Sequence, residues 1–233
     1  MSLPKLETPL FVTKLPSNGA EVMFRPFLVK EEKVLLMALE GGEENEITRA
    51  VQAIIKSCLL DDEFDINKMS TFDIEHLFLQ IRAKSVGEMV EMVVRHNQDD
   101  ECKHQTTVAI NLEDVKVNGE IQDGKIMIND EIGVKLRYPN LSDLANLLDD
   151  DDDSVFNVIN NCVEYVFDKD NVYNDFTKEE IVNWMEQLTQ EQFKKINDFM
   201  ENIPRLSHEI NWTCSKCGKE DSVTVEGLNG FFI

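Results

Sequence analysis

NWTCSKCGKE, residues 211–220, places two thiols three positions apart in a short polar turn between apolar, strand-like flanks. A tetrahedral zinc ion takes four thiolate or imidazole ligands, so Cys214 and Cys217 supply half of a site. The other half must come from elsewhere in the chain, which obliges two distant segments to meet. The candidates are few: Cys58, Cys102 and Cys162, with His76, His96, His104 and His208.

Periodicity removes several of these. A helix is expected over ENEITRAVQAIIKSCL, where Ile47, Val51, Ile54, Ile55 and Cys58 share one apolar stripe, so Cys58 reads as a small core residue. Cys162 falls with Val158, Ile159, Tyr165 and Val166 on the apolar face of a stretch also expected to be helical, and is assigned to the core as well. His76 sits among Leu77, Phe78, Leu79 and Ile81 and reads as a packed or half-exposed side chain.

His96, Cys102 and His104 remain. They flank or occupy the polar gap NQDDECKHQ between EMVEMVVRH and TTVAINL, two extended segments that predict a hairpin. SHEINWT and DSVTVEG predict a second hairpin, with Cys214 and Cys217 at its turn. Two knuckles clamping one ion make a zinc ribbon, in which the metal stabilises small sheets whose own core is thin. The preferred ligand set is His96, Cys102, Cys214 and Cys217. His96 ends its incoming strand as Cys214 does, and Cys102 precedes its outgoing strand as Cys217 does. His104 substitutes if the first knuckle is tighter. A ribbon that has lost its metal and a thioredoxin-like redox pair are the alternatives, although the redox chemistry places its motif at a helix N-terminus and here a strand follows.

Elsewhere, AEVMFRPFLV (20–29) predicts a first strand, VKEEKVLLMALEG a helix ended by Gly41 and Gly42, and STFDIEHLFLQIRAKS a helix capped by Ser70 or Thr71. VKVNG, KIMIN and IGVKLRYP predict strands separated by Asn-Gly and Asp-Gly turns. Thr177 with Glu180 and Thr189 with Gln192 have capping-box spacing, giving helix starts at 178 and 190. The five aspartates 149–153 read as an exposed connection, since they lack the alternate spacing and glycine of a calcium loop. The expected fold is α+β, with helical segments around a small antiparallel sheet and a zinc-ribbon-like pair of hairpins. Its expected segments are 1–86 (strand and helices), 87–140 (β, first knuckle), 141–204 (helical) and 205–233 (second knuckle, completing the ribbon with 90–112).

Charge narrows the function. With 23 basic against 45 acidic residues the chain carries −22, which repels phosphate backbones and anionic lipid. A zinc-ribbon nucleic-acid adaptor is therefore disfavoured, except locally at Lys216 and Lys219. Neither a secretion signal nor a run of about 18 apolar residues is evident, and five sparse cysteines suit a reducing compartment. No G-x-S-x-G, phosphate-cradling glycine loop or H-E-x-x-H is present. A closed four-ligand site stabilises rather than hydrolyses, so the chain reads as a binding protein and not an enzyme.

LPKLETPLF, LPSNGAEVMFRPFLVKEEKVLLMALE, STFDIEHLFLQIRAKSVGE, LTQEQFKKINDFMENIPRLSHEI and the terminal C-x-x-C-G with VEGLNGFF resemble, nearly end to end, the baseplate hub protein family of T-even-like myophages. The resemblance implies a hub subunit or hub assembly factor (chaperone) of a contractile tail. It would be made in the host cytoplasm, with the virion tail baseplate as its second expected location, and act in hetero-oligomers with other hub or hub-assembly proteins, without enzymatic activity. Members of that family tend to carry two cysteines in the first hairpin, where this chain has His96 and Cys102; histidine can replace cysteine on zinc. The rival from another class is a thiol-redox or metal-dependent enzyme using Cys214 and Cys217.

Overall fold

The chain leaves its first hairpin at Arg25 because Pro26 lacks the N–H a further ladder bond would need. In the computed structural model, which describes residues 6–61, 64–96, 102–143 and 154–231, β1 (Phe11–Lys14) pairs antiparallel with β2 (Glu21–Phe24), Phe11 opposite Phe24. The sequence anticipates one strand over 20–29. The structure stops it at Phe24 and supplies β1 as its partner, while Val29 already begins α1 (Val29–Gly41), which ends on left-handed Gly42. The acidic run 149–153 lies outside the described residues.

After α2 (Glu44–Cys58) comes α3 (Thr71–Val86), apolar on most of its circumference: Phe72, Ile74, Leu77, Phe78, Leu79, Ile81 and Ala83 are all buried. A helix of that pattern is enclosed on several sides. β3 (Met89–Arg95) and β4 (Gln105–Asn111) form the expected hairpin, followed by β5 (Lys116–Asn118).

The chain then enters a second compact unit, made of residues 119–204 with 67–71. Here β6 (Lys125–Met127), β7 (Gly133–Leu136), α4 (Ser154–Cys162), β8 (Val163–Phe167), β9 (Val172–Tyr173), α5 (Lys178–Met185) and α6 (Gln190–Glu201) follow in order. Its four-stranded antiparallel sheet runs β6-β7-β8-β9. Residues 163–167 are strand, not the helix expected. Positions 158, 159, 162, 165 and 166 do match a helical pitch, but VEYVF is β-branched and aromatic and pairs with β7. Both capping boxes form: Thr177 Oγ1 accepts from Glu180 N at 3.2 Å, and Thr189 Oγ1 from Gln192 N at 3.3 Å.

The chain returns to the first unit with β10 (Arg205–Thr213) and β11 (Glu220–Glu226), which join β5 in a three-stranded sheet, β11-β10-β5. Leu79 and Ala83 of α3 pack with Met92, Ile110, Leu206, Ile210 and Val225 in one core, so both hairpins are seated on the same helix. Among the described residues the strands form four separate antiparallel sheets, where the sequence predicts a small antiparallel sheet with a pair of hairpins.

One local arrangement occurs twice. In the first unit Arg25 N–H donates to Cys58 O (2.9 Å), its Nη1 to Pro26 O (2.9 Å), and its Nη2 to Glu31 Oε1 (2.9 Å) and Ser57 Oγ (2.9 Å). Glu31 Oε2 accepts Leu28 N–H at 2.8 Å. In the second unit Arg137 N–H donates to Cys162 O (2.9 Å), Nη1 to Tyr138 O (3.1 Å), and Nη2 to Asp143 Oδ1 (3.0 Å) and Asn161 O (2.8 Å). Asp143 Oδ2 accepts Asn140 N–H at 2.8 Å. The residue before each arginine bridges the residue after each cysteine: Phe24 with Leu59, Leu136 with Val163. Each unit thus carries a hairpin, an arginine, a carboxylate six positions on and a cysteine-ended helix, closed by matching bonds.

Candidate metal centre

The strand ends set the site. β3 stops at Arg95 and His96 follows; Cys102 lies just ahead of β4; β10 stops at Thr213 and Cys214 follows; Cys217 lies ahead of β11. In the second knuckle Cys214 N–H donates to Lys219 O and Gly218 N–H to Cys214 O, both at 2.9 Å. Gly218 closes the turn at φ 70°, a left-handed conformation that glycine adopts without penalty.

The two tips converge. One ligand atom each from His96, Cys102, Cys214 and Cys217 lies within 4.8 Å of every other. Cys102 Sγ is 3.8 Å from Cys214 Sγ, and Cys217 Sγ is 3.4 Å from His96 Nε2. In a regular tetrahedron with zinc–sulfur bonds of about 2.3 Å and zinc–nitrogen bonds of about 2.0–2.1 Å, those edges come to about 3.8 and 3.6 Å. The two distances are opposite edges of the four-atom cluster, and the other four separations are all within 4.8 Å. At 3.8 Å Cys102 and Cys214 are not joined in a disulfide, whose sulfurs stand about 2.05 Å apart, and Cys217 is free as well. The sequence anticipates this set; the structure brings all four members together, and they could hold a metal ion.

The family model described as T4 bacteriophage base plate protein matches residues 8–233. The chain belongs to that family. No curated protein and no solved structure matches the chain. Membership makes it a phage base plate protein, acting among other phage structural proteins. No helix among the described residues is long and apolar enough to cross a membrane.

In this base plate family member the donor set has the electrostatics of a cation site. Cys214 is 2% exposed, yet its thiol is pulled down to about 5. The N–H of Cys217 contributes most, and the Lys216 N–H and His96 add to it against desolvation. At Cys217 the Lys219 N–H also lowers the thiol, but desolvation and the sulfurs of Cys214 and Cys102 outweigh it and leave the thiol raised. Three sulfurs this close repel one another as thiolates, and a divalent cation at their centre removes that penalty. His96 is held above the ordinary imidazole range, first by Asp221 and then by Cys214.

His104 stands outside the cluster: its Nε2 meets Ser215 Oγ at 2.9 Å, and Ser215 N–H donates to Thr106 Oγ1 at 3.3 Å, so it ties the hairpins together by hydrogen bonds. Cys58 and Cys162 are fully buried, and burial pushes their thiols up to about 11 and about 12, as suits core residues. His76 bonds Thr13 Oγ1 at 3.0 Å, and burial lowers its affinity for a proton. Sequence reasoning missed Trp212 and Asp221, which face one another across β10 and β11 and flank His96. The available signal was an aspartate at the second position of a strand in which Val223 and Val225 alternate with polar residues, directly after the knuckle.

Proposed function

We propose that the chain is a hub subunit or hub assembly factor of a contractile-tail base plate, working by protein–protein contact, with zinc as a structural staple at His96, Cys102, Cys214 and Cys217. One observation supports the structural role of the metal: the chain's own side chains supply four clustered ligand atoms, and a zinc ion bound by all four has no open coordination position for substrate. The hub role and its place in the host cytoplasm during assembly are supported by the family and by the motifs of the N-terminal and C-terminal thirds. Contact with partners is supported by apolar side chains left in solvent on the first unit, among them Val29 (66%), Met37 (72%) and Met89 (64%), on a surface of strongly acidic balance. The partners are other hub or hub-assembly proteins, joined in a hetero-oligomer. Affinity-tagged protein recovered from phage-infected cells should carry hub proteins in stoichiometric amount. Recovery of nucleic acid, or of no tail protein, would sink the reading.

The depressed Cys214 thiol favours a second reading, a thiol-redox C-x-x-C. Its burial opposes that, since the exposed member of the pair is Cys217, whose thiol is raised. Alkylation separates the two: the staple predicts slow labelling of Cys214 until a chelator is added, whereas a redox cysteine labels fast in metal-replete protein.

A further inference from the structure

Asp221 contributes none of the four clustered ligand atoms, yet it is bonded to one of the ligands. His96 Nδ1 lies 2.9 Å from Asp221 Oδ2, while His96 Nε2 lies 3.4 Å from Cys217 Sγ. An ionised carboxylate only accepts hydrogen bonds, so the ring proton sits on Nδ1, and in the neutral imidazole the Nε2 lone pair faces the sulfurs. The ring plane is fixed as well. The Trp212 ring packs on His96 with centroids 4.7 Å apart, and Trp212 is the cross-strand partner of Asp221. One rung of the β10–β11 ladder therefore grips a histidine that belongs to the other hairpin. The grip is partly buried, with the His96 and Asp221 side chains 3% and 19% exposed.

We propose that Asp221 is the positioning residue of a carboxylate–histidine–metal arrangement, which selects His96 through Nε2 as the fourth ligand and leaves His104 without a role at the metal. The proposal rests on the reading of the cluster as a metal site. Metal-bound imidazoles commonly donate their second N–H to such a carboxylate, which fixes tautomer and orientation and strengthens the ligand. His104 has no equivalent: its Nε2 is engaged by the Ser215 hydroxyl.

The test is zinc affinity of the purified full chain by competition with a chromophoric chelator, with the cobalt(II) absorption spectrum as a second readout. The parent should bind one equivalent. Asp221→Ala should weaken zinc binding about 10–100-fold, the usual cost of losing such a partner. Asp221→Asn, whose amide oxygen still accepts the Nδ1 proton, should recover part of that loss and keep the parent's tetrahedral cobalt bands. His104→Ala should bind as the parent does. If Asp221 served the fold alone, Asp221→Ala would destabilise metal-free protein while leaving the chelator competition unmoved. That result, or a larger loss in His104→Ala than in Asp221→Ala, overturns the proposal while the metal reading stands. A parent chain that binds neither zinc nor cobalt overturns both.

Discussion

Cys102 Sγ and Cys214 Sγ stand 3.8 Å apart although 112 positions of chain separate them. No local propensity produces that contact. It follows from two hairpins packing on one helix through Met92, Ile110, Ile210 and Val225, with Val94, Trp212 and Cys214 in a smaller cluster at the tips.

If one ion joins the tips, Cys102→Ser and Cys217→Ser should each lower zinc content from about one per chain. Each should also reduce the melting temperature. The double variant should lose little more than either single one, because members of one site act as a unit. Elemental analysis and thermal melts check this. Unchanged metal in Cys102→Ser beside complete loss in Cys217→Ser would mean that the first hairpin contributes no thiol.

Glu75 on α3 gives a dependence on pH with a definite sign. Burial raises its carboxyl to about 7, outweighing the hydrogen bonds it accepts from the Leu206 and Leu228 N–H groups and the charge of Arg205. The folded chain thus holds this proton more tightly than the unfolded chain, whose carboxyl titrates near 4.5. The stabilisation is complete below about pH 4.5 and is lost as pH rises through about 7. Glu75→Gln should remove that slope and stabilise the protein at pH 8, by at most about 3 kcal/mol. Urea unfolding at pH 5 and pH 8 compares the two proteins.

The paired arginine clasps should be strongly destabilising to break. Arg25→Met removes the buried cation from the Glu31 carboxylate, which is 6% exposed, and leaves it the exposed Lys30 at 3.3 Å, whereas Arg137→Met takes the guanidinium from Asp143, which is 5% exposed. Removing one partner of a buried pair costs about 3–5 kcal/mol. Arg25→Met should cost more, since the Arg25 side chain is 14% exposed and that of Arg137 31%. Desolvation pushes the Glu31 carboxyl up, but bonds from Arg25, Ser57, Leu28 and Lys30 prevail and hold it at about 2. Its contribution is present above about pH 4.5 and disappears as pH falls through about 2, the opposite direction to Glu75. Acid titration of parent and Arg25→Met by circular dichroism should show the variant unfolding at higher pH.

Two glycines separate strain from collision. Both Gly124 and Gly218 are left-handed, at φ 73° and φ 70°. A Cβ on Gly124 would strike the Leu136 carbonyl, whereas one on Gly218 would meet open space. Gly218→Ala should therefore cost only the conformational penalty, about 1–2 kcal/mol. Gly124→Ala should cost clearly more, because Leu136 N–H also donates to Gly124 O at 2.8 Å and the two backbones cannot separate freely. Denaturant midpoints of the two variants rank them.

What the sequence made legible was chemistry confined to a few neighbouring residues. The thiol turn, the hairpin ends, the Gly42 stop and both capping boxes are written within four or five positions. The convergence of His96, Cys102, Cys214 and Cys217 could be reasoned from equivalent places in two hairpins. The contact of Asp221 with His96 could not, because it depends on the register that sets Trp212 against Asp221 and on the meeting of the two hairpins. The doubled clasp was hidden by unequal spacing: Arg25 reaches Ser57 across 32 positions, and Arg137 reaches Asn161 across 24. Only the bonds reveal that the two arginines are equivalent.

β10 and β11 lie at the far end of the chain, but β10 pairs with β5 and the second knuckle completes a site begun at His96. On the ribosome, at about 5–20 residues per second, the 112 positions between Cys102 and Cys214 take about 6–22 s to make. During that interval only two of the four donors exist, and all of residues 119–204 emerge before the other two. An ion held by all four residues could therefore be enclosed only after Cys217 has been made. A chain stopped short of the last knuckle would carry α1 to α6 and still lack two of the four clustered donors.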